Sequence, residues 1–504
     1  MGGYLTQGLH RALQQRPDAV ATICGERTRT FAEQADRVAR AAGALLGLGV
    51  RPGDRVAILS QNSDHYAELL LAVAWADAVV VPVNIRWSAA EIDLSLHDCE
   101  AGVLFVDEAF AGLVPQLTRE LTVIGMGENR DGRHLDDLIA EAGPVPDVRR
   151  GGGSPAGIFY TGGTTGTPKG VVLSHDNVLA SAMGSAATGH LHNSPDDRVL
   201  HVAPMFHIAC FTSWLIGSLA GATHVMVPGF QPDAVLDAIE RHRVTATFLV
   251  PTMVTMLLAD PTLPKRDVST LRRVLYGASP MPQSTLETAM SVLPGTRFTQ
   301  AYGMTELSPV ATLLGHEDHV PGRLRSAGRA APHTEVRVVG EDGTVLPVGE
   351  VGEVAVRGAN AMIEYWNRPK ETAEALRDGW MHTGDAGYLD ADGYLFVVDR
   401  YKDMVITGGE NVYSVEVENA LAGHSAVAMC AVIGLPDPRW GERVHAVVVL
   451  AEGAAATEEE LREHVRGLIA GYKVPRSVEF VDALPISGPG KILKHELRSA
   501  RSQG

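Results

Sequence analysis

Alternation is the feature that most restricts what this chain can fold into. Over the first 140 residues, short apolar runs (Val56 to Leu59, "AVVVPVN" at 78–84, "GVLFVD" at 102–107) are separated by stretches with helical spacing. Runs this short and this apolar suit strands covered on both faces, and the helical stretches between them supply the crossovers. Largely parallel strands with packed helices are therefore predicted. Thr30 and Glu33 form a capping-box pattern that opens one such helix, with Val38, Leu45 and Leu46 on its apolar side. The most apolar stretch, Tyr66 to Val83, is interrupted by Glu68 and Asp77. It reads as a buried helix followed by a strand, not as a membrane span.

The alternation continues through "THVMVP", "ATFLVP" and "RRVLYG" to about residue 330 and then gives way to short β-type segments, "EVRVVG", "GEVAVRG" and "GYLFVVD". The last hundred residues carry helical patterns of their own (Val415 to Ala422, Glu458 to Ala470) and further strands. A chain of 504 residues exceeds what one core organises. The fold predicted is α/β, with a large multi-subdomain N-terminal domain over 1–400 whose third part is β-rich, and a small α+β C-terminal domain over 401–504. Sixty acidic against 43 basic residues leave a formal charge of −17, which excludes an extended nucleic-acid surface. Four scattered cysteines without a CxxC pair, and an N-terminus lacking a basic segment before an apolar run, predict a cytoplasmic protein. "MGGYLT" fits the bare myristoylation pattern, but one acyl chain holds weakly, so no stable membrane anchor is expected.

Residues 160–170, "YTGGTTGTPKG", raise the question of phosphate binding. The Walker order fails, because Lys169 stands between Pro168 and Gly170, and no G-x-G-x-x-G follows the strand. Glycines that admit a close backbone approach, threonine hydroxyls and one lysine still suit a polyphosphate. A plain Gly/Thr surface turn has the same composition, and on composition alone both readings stand. "VVLSH" follows directly, so the loop joins two strands.

That loop, continued as "YTGGTTGTPKGVVLSH", is followed by "QAYGMTE" (300–306), "HTGD" (382–385), "DRYKDMVITGGENVYSVEVE" (399–418) and "GPGKILKHELR" (488–498). In this order the segments resemble the signatures of the adenylate-forming superfamily, and within it the acyl- and aryl-CoA synthetases. The resemblance implies two half-reactions. A carboxylate attacks the α-phosphate of ATP to give an acyl-adenylate and pyrophosphate; a thiol, that of coenzyme A, then displaces AMP. By resemblance, Thr161, Gly162, Gly163, Thr164, Thr165 and Lys169 form the phosphate loop, with Gly162 where relatives commonly carry Ser. Thr305 meets the α-phosphate and Glu306 helps to hold Mg²⁺. Gly277, Ala278 and Ser279 lie along the adenine, Tyr302 beside Gly303 stacks on it, and Asp385 with Arg400 serves the ribose side. Lys491 bridges carboxylate and phosphate during adenylation.

The resemblance further implies a mobile C-terminal domain that turns about a hinge at Lys402. Lys491 then withdraws and the loop with Gly408 and Gly409 comes up to the thiol tunnel, with Trp440, Lys473 and Arg476 as partners of coenzyme A. His207 is expected at the mouth of an acyl pocket walled by Phe206, Phe211, Tyr276, Gly277, Ala301, Met304 and Pro309. No carboxylate occurs between Met205 and Leu219 to pair a substrate ammonium, which disfavours an amino acid. No arginine occurs from Pro204 to Gly229, which disfavours a dicarboxylate. The expected substrate is a fatty acid or an aromatic acid of the hydroxycinnamate or benzoate type. Loading of a carrier protein, and a non-catalytic nucleotide-binding relative, stand as alternatives.

Overall fold

A computed structural model describes residues 2–127, 132–161, 168–400, 403–408, 410–486 and 492–501. Among the described residues the strands fall into four sheets, and the predicted alternation accounts for the first two. The first centres on parallel strands Arg297–Tyr302, Arg273–Gly277, Ala246–Leu249, Arg198–His201, Thr223–Met226 and Val20–Cys24, in that spatial order. Antiparallel strands extend it at both ends. The second runs Glu364–Tyr365, Lys169–Ser174, Pro155–Thr161, Val79–Pro82, Arg55–Leu59, Val103–Asp107 and Thr122–Met126.

The apolar runs became strands because both of their faces are covered. Val56, Ala57, Ile58 and Leu59 are all fully buried, as is most of the helix Asp64–Trp75 that follows. The capping box at Thr30 is made in both directions, Glu33 N–H to Thr30 Oγ1 and Thr30 N–H to the Glu33 carboxylate, and opens the helix Phe31–Gly47. The strands Pro155–Thr161 and Lys169–Ser174 pair antiparallel, with Thr161 opposite Lys169, so the Gly/Thr segment does join two strands.

The β-rich third part is an antiparallel sheet of Thr334–Val339, Gly352–Gly358, Trp380–Leu389, Leu376–Arg377 and Leu395–Arg400. The small C-terminal domain has its own sheet, built on the long hairpin Val427–Asp437 and Gly441–Leu450, with helices Ser414–Ala422 and Glu458–Arg466 closing a separate apolar core. The second of these helices stops at Arg466, short of the expected Ala470, with Gly467 as its capping residue and a short turn after it. The architecture is therefore α/β, with one large and one small domain. Among the described residues no helix is long and apolar enough to cross a membrane.

Candidate active site

Neighbouring parallel strands of the first sheet end together, and the turns after them carry the motif residues. This carboxyl edge is where open α/β sheets receive ligands. Strand Arg273–Gly277 leads into Ala278 and Ser279, and strand Arg297–Tyr302 into Gly303, Met304 and Thr305. Strand Arg198–His201 leads to Phe206 and His207, the residues just before helix Ile208–Ala220. Ala278, Ser279, Ala301, Tyr302, Gly303, Met304, Thr305, Pro309 and His207 are all half-buried, an open rim on an otherwise closed core.

The rim is tightly fitted. A Cβ on Gly277 would lie 2.2 Å from the carbonyl oxygen of Ala301, and one on Gly303 would lie 1.9 Å from that of Pro309. Side chains are excluded at both positions. Ala278 sits in the left-handed region at φ +68°, a cost that residues bear chiefly where surroundings or function require it.

Two polar chains converge on the turn 302–306. Tyr302 donates its hydroxyl to Asp385 Oδ2 at 2.8 Å, and Arg400 Nε stands 3.2 Å from Asp385 Oδ1. Asp385 and Arg400 face each other across the antiparallel pair of the third sheet, so strand register sets the ion pair. The "HTGD" segment, an irregularity within strand Trp380–Leu389, is held by Glu353. It pairs with His382 at 2.7 Å and accepts the Gly384 N–H. In the second chain, buried Glu306 accepts the hydroxyl of Tyr365 on Oε1 at 2.6 Å, and Lys169 Nζ lies 5.2 Å from the Tyr365 ring centroid. Burial, with Glu306 adjacent, lifts the Tyr365 hydroxyl above the ordinary phenol range and keeps it a donor. Burial does the same for Tyr302, with Asp385 adding to it.

The expected acyl walls divide. Phe206 packs beside His207, ring centroids 4.6 Å apart, at the rim. Phe211 instead meets Phe159 edge-on at 5.3 Å inside the core. Tyr276 is fully buried and shares a 2.8 Å hydrogen bond with His319 Nε2.

In the small domain the guanidinium groups of Arg439 (4.8 Å) and Arg476 (4.5 Å) stand over the Trp440 ring, and Gly408 lies against it and donates its N–H to the Trp440 carbonyl. Lys473 donates to both Glu416 oxygens, at 2.8 and 2.7 Å. Gly162, Gly163, Thr164, Thr165, Lys402, Gly409 and Lys491 lie outside the described residues.

Sequence reasoning missed Tyr365, Glu353 and a cluster that joins the motifs at 399–418 and 488–498. In that cluster Asp399 accepts from the Ser414 N–H and hydroxyl, while Lys494 donates to Ser414 Oγ (2.6 Å) and pairs with Glu418 (2.7 Å). Burial opposes the Lys494 charge, but Glu418 and Asp399 outweigh it and hold its pKa above the usual value.

Residues 9–366 match the family described as AMP-binding enzyme, and residues 416–491 match the AMP-binding enzyme C-terminal domain. The chain belongs to this family, the adenylate-forming acyl- and aryl-CoA synthetases. It is 43% identical to a feruloyl-CoA synthase of an Amycolatopsis species, over 97% of each chain. It is 39% identical to a fatty acid–[acyl-carrier-protein] ligase of Streptomyces coeruleorubidus, over 96% of this chain and 94% of that one. Among solved structures it resembles the o-succinylbenzoate CoA synthetase of Bacillus subtilis in complex with its acyl-adenylate intermediate, with a TM-score of 0.87, 33% identity and 98% of each chain covered.

Proposed function

We propose that the protein is an AMP-forming acid–thiol ligase that activates a fatty or aromatic carboxylic acid with ATP and passes the acyl group to coenzyme A. The observation that supports this best is the turn 302–306. Within five residues it offers an aromatic ring tied to Asp385, the hydroxyl of Thr305, and a carboxylate linked through Tyr365 to Lys169. That order matches what a nucleotide needs along its length: base, ribose, then phosphates.

In this reading Tyr302, with the backbone at 277–279, receives the adenine, and Asp385 accepts from the ribose hydroxyls. Lys169 and Thr161, with the loop residues Gly162, Gly163, Thr164 and Thr165, face the phosphates. Adenylation brings a carboxylate against a phosphate, and cationic and N–H or O–H donors aimed at that charge supply most of the acceleration. Lys491 stabilises the charge as the carboxylate oxygen bonds to phosphorus and pyrophosphate leaves, and Thr305 donates to the α-phosphate. Glu306 fits Mg²⁺: Tyr365 takes Oε1, and Oε2 accepts no hydrogen bond from the described residues, leaving one hard oxygen for a cation. The cation would neutralise phosphate charge when bound. His207 stands at the acyl entrance, with Phe206, Ala301, Met304 and Pro309 around it. The domain boundary lies at 400/401, with the hinge at Lys402. In this reading the protein works in the cytoplasm.

A second reading, transfer to a carrier-protein thiol, is favoured by the small-domain geometry. Arg439 and Arg476 already flank Trp440, and Glu416 already holds Lys473. The test is to incubate the protein with ATP, Mg²⁺ and a panel of C2–C18 and aromatic acids, with either coenzyme A or a phosphopantetheinylated carrier protein. Mass spectrometry then follows the products. Acyl-CoA with AMP and pyrophosphate is expected; acylation of the carrier alone would select the second reading.

A further inference from the structure

The short strand Glu364–Tyr365 is fixed on every side. It pairs with Lys169–Ser174, Tyr365 opposite Val171 and Glu364 opposite Val172. Trp366 N–H donates to Gly170 O at 2.7 Å and Ile363 N–H to Val172 O at 2.9 Å, while Tyr365 N–H donates to Thr372 Oγ1 at 3.0 Å. The same segment grips Glu306 twice. Met362 N–H donates to the Glu306 carbonyl at 2.8 Å, and the Tyr365 hydroxyl donates to Glu306 Oε1 at 2.6 Å. The Tyr365 ring then presents its face to Lys169 Nζ, 5.2 Å from the centroid. One buried, backbone-locked side chain thus touches the anionic and the cationic member of the site at once.

We propose that Tyr365 is a positioning residue that sets the spacing between these opposite charges. Its hydroxyl fixes the Glu306 carboxylate so that Oε2 faces the cation position, and its ring holds the Lys169 ammonium back from Glu306. Without it, a lysine and a glutamate beside one loop can pair with each other, and that pair removes both from the phosphates. A ring face attracts an ammonium without neutralising it, whereas a carboxylate would do both. The proposal rests on the reading of Glu306 and Lys169 given above.

The two contacts separate experimentally. Tyr365→Phe removes the hydroxyl and keeps the ring; Tyr365→Leu removes both. ATP affinity is measured by calorimetric titration with Mg²⁺ and again in EDTA, for these variants, for Glu306→Gln and for the double variant Glu306→Gln/Tyr365→Phe, each with its melting temperature. Loss of one hydrogen bond to a charged group corresponds to about a tenfold change. Tyr365→Phe is expected to reduce the gain in affinity that Mg²⁺ confers by about tenfold while leaving affinity in EDTA unchanged. Tyr365→Leu is expected to weaken binding in EDTA as well, and the double variant to add no further loss of Mg²⁺ dependence to Glu306→Gln. Equal loss in both buffers for Tyr365→Phe, or a shift in melting temperature alone, overturns the proposal as a purely structural role. Wild-type Mg²⁺ dependence in Tyr365→Phe while Glu306→Gln loses it overturns the proposal and leaves the reading of Glu306 intact. Full Mg²⁺ dependence in Glu306→Gln overturns that reading, and the proposal with it.

Discussion

Asp385 concentrates three interactions on one carboxylate: the Tyr302 hydroxyl, the Arg400 guanidinium and, in the proposed reaction, the ribose. Replacing it by Asn keeps the shape and removes the charge, so both existing partners weaken together. Asp385→Asn is expected to raise the KM for ATP by about tenfold, the scale of a charge-assisted hydrogen bond, with little change in the KM for the acid. Steady-state kinetics with each substrate varied in turn checks this. Ala278 makes a different kind of demand. Its φ of +68° is tolerable with a methyl group and poor for a β-branched side chain. Ala278→Val should therefore lower stability by roughly 2 kcal/mol, through strain rather than lost contacts, and weaken ATP binding through the displaced turn. Denaturant unfolding and ATP titration measure the two effects.

At the scale of elements, what was legible follows from how local the signal is. The capping box at Thr30, the paired strands around residues 160–170 and the helix beginning near residue 415 each rest on neighbours in sequence, and each is present. Tyr365 could not be read this way. Its partner Glu306 is 59 residues earlier, and only the pairing of Glu364–Tyr365 with Lys169–Ser174 brings the two together. For Phe211 and Tyr276, likewise, neighbours distant in sequence decide the packing. One met Phe159 from the second sheet and the other met His319, both inside the core. The Asp399–Ser414–Lys494 cluster joins the last strand of the β-rich sheet to a helix of the small domain and to the C-terminal helix Lys494–Arg501. Removing one member of a buried charge cluster leaves its partners uncompensated. Lys494→Met is therefore expected to cost about 3 kcal/mol, with faster amide exchange in helix Ser414–Ala422 than in the large domain.

For the molecule as a whole, buried histidines make stability depend on acid. Burial holds His175 down to about 4 and His224 to about 3, and pushes His201 well below its ordinary value. His175 Nδ1 accepts the Leu5 N–H at 3.3 Å, so protonation there would also release the N-terminal segment. Because the folded pKa lies below the unfolded value of about 6.5, the stabilisation is complete above that pH and is lost as pH falls toward 4. For His175 alone the difference corresponds to roughly 3 kcal/mol. The melting temperature should fall steadily from pH 7 to pH 4, and His175→Gln should flatten that slope. That these elements assemble an acid-activating nucleotide site is checked by carboxylate-dependent exchange of labelled pyrophosphate into ATP. No exchange is expected without an acid, exchange is expected with at least one fatty or aromatic acid, and it is lost in Lys491→Ala, which should still form thioester from supplied acyl-AMP. Absence of exchange across the whole acid panel, or exchange at the wild-type rate in Lys491→Ala, would contradict it.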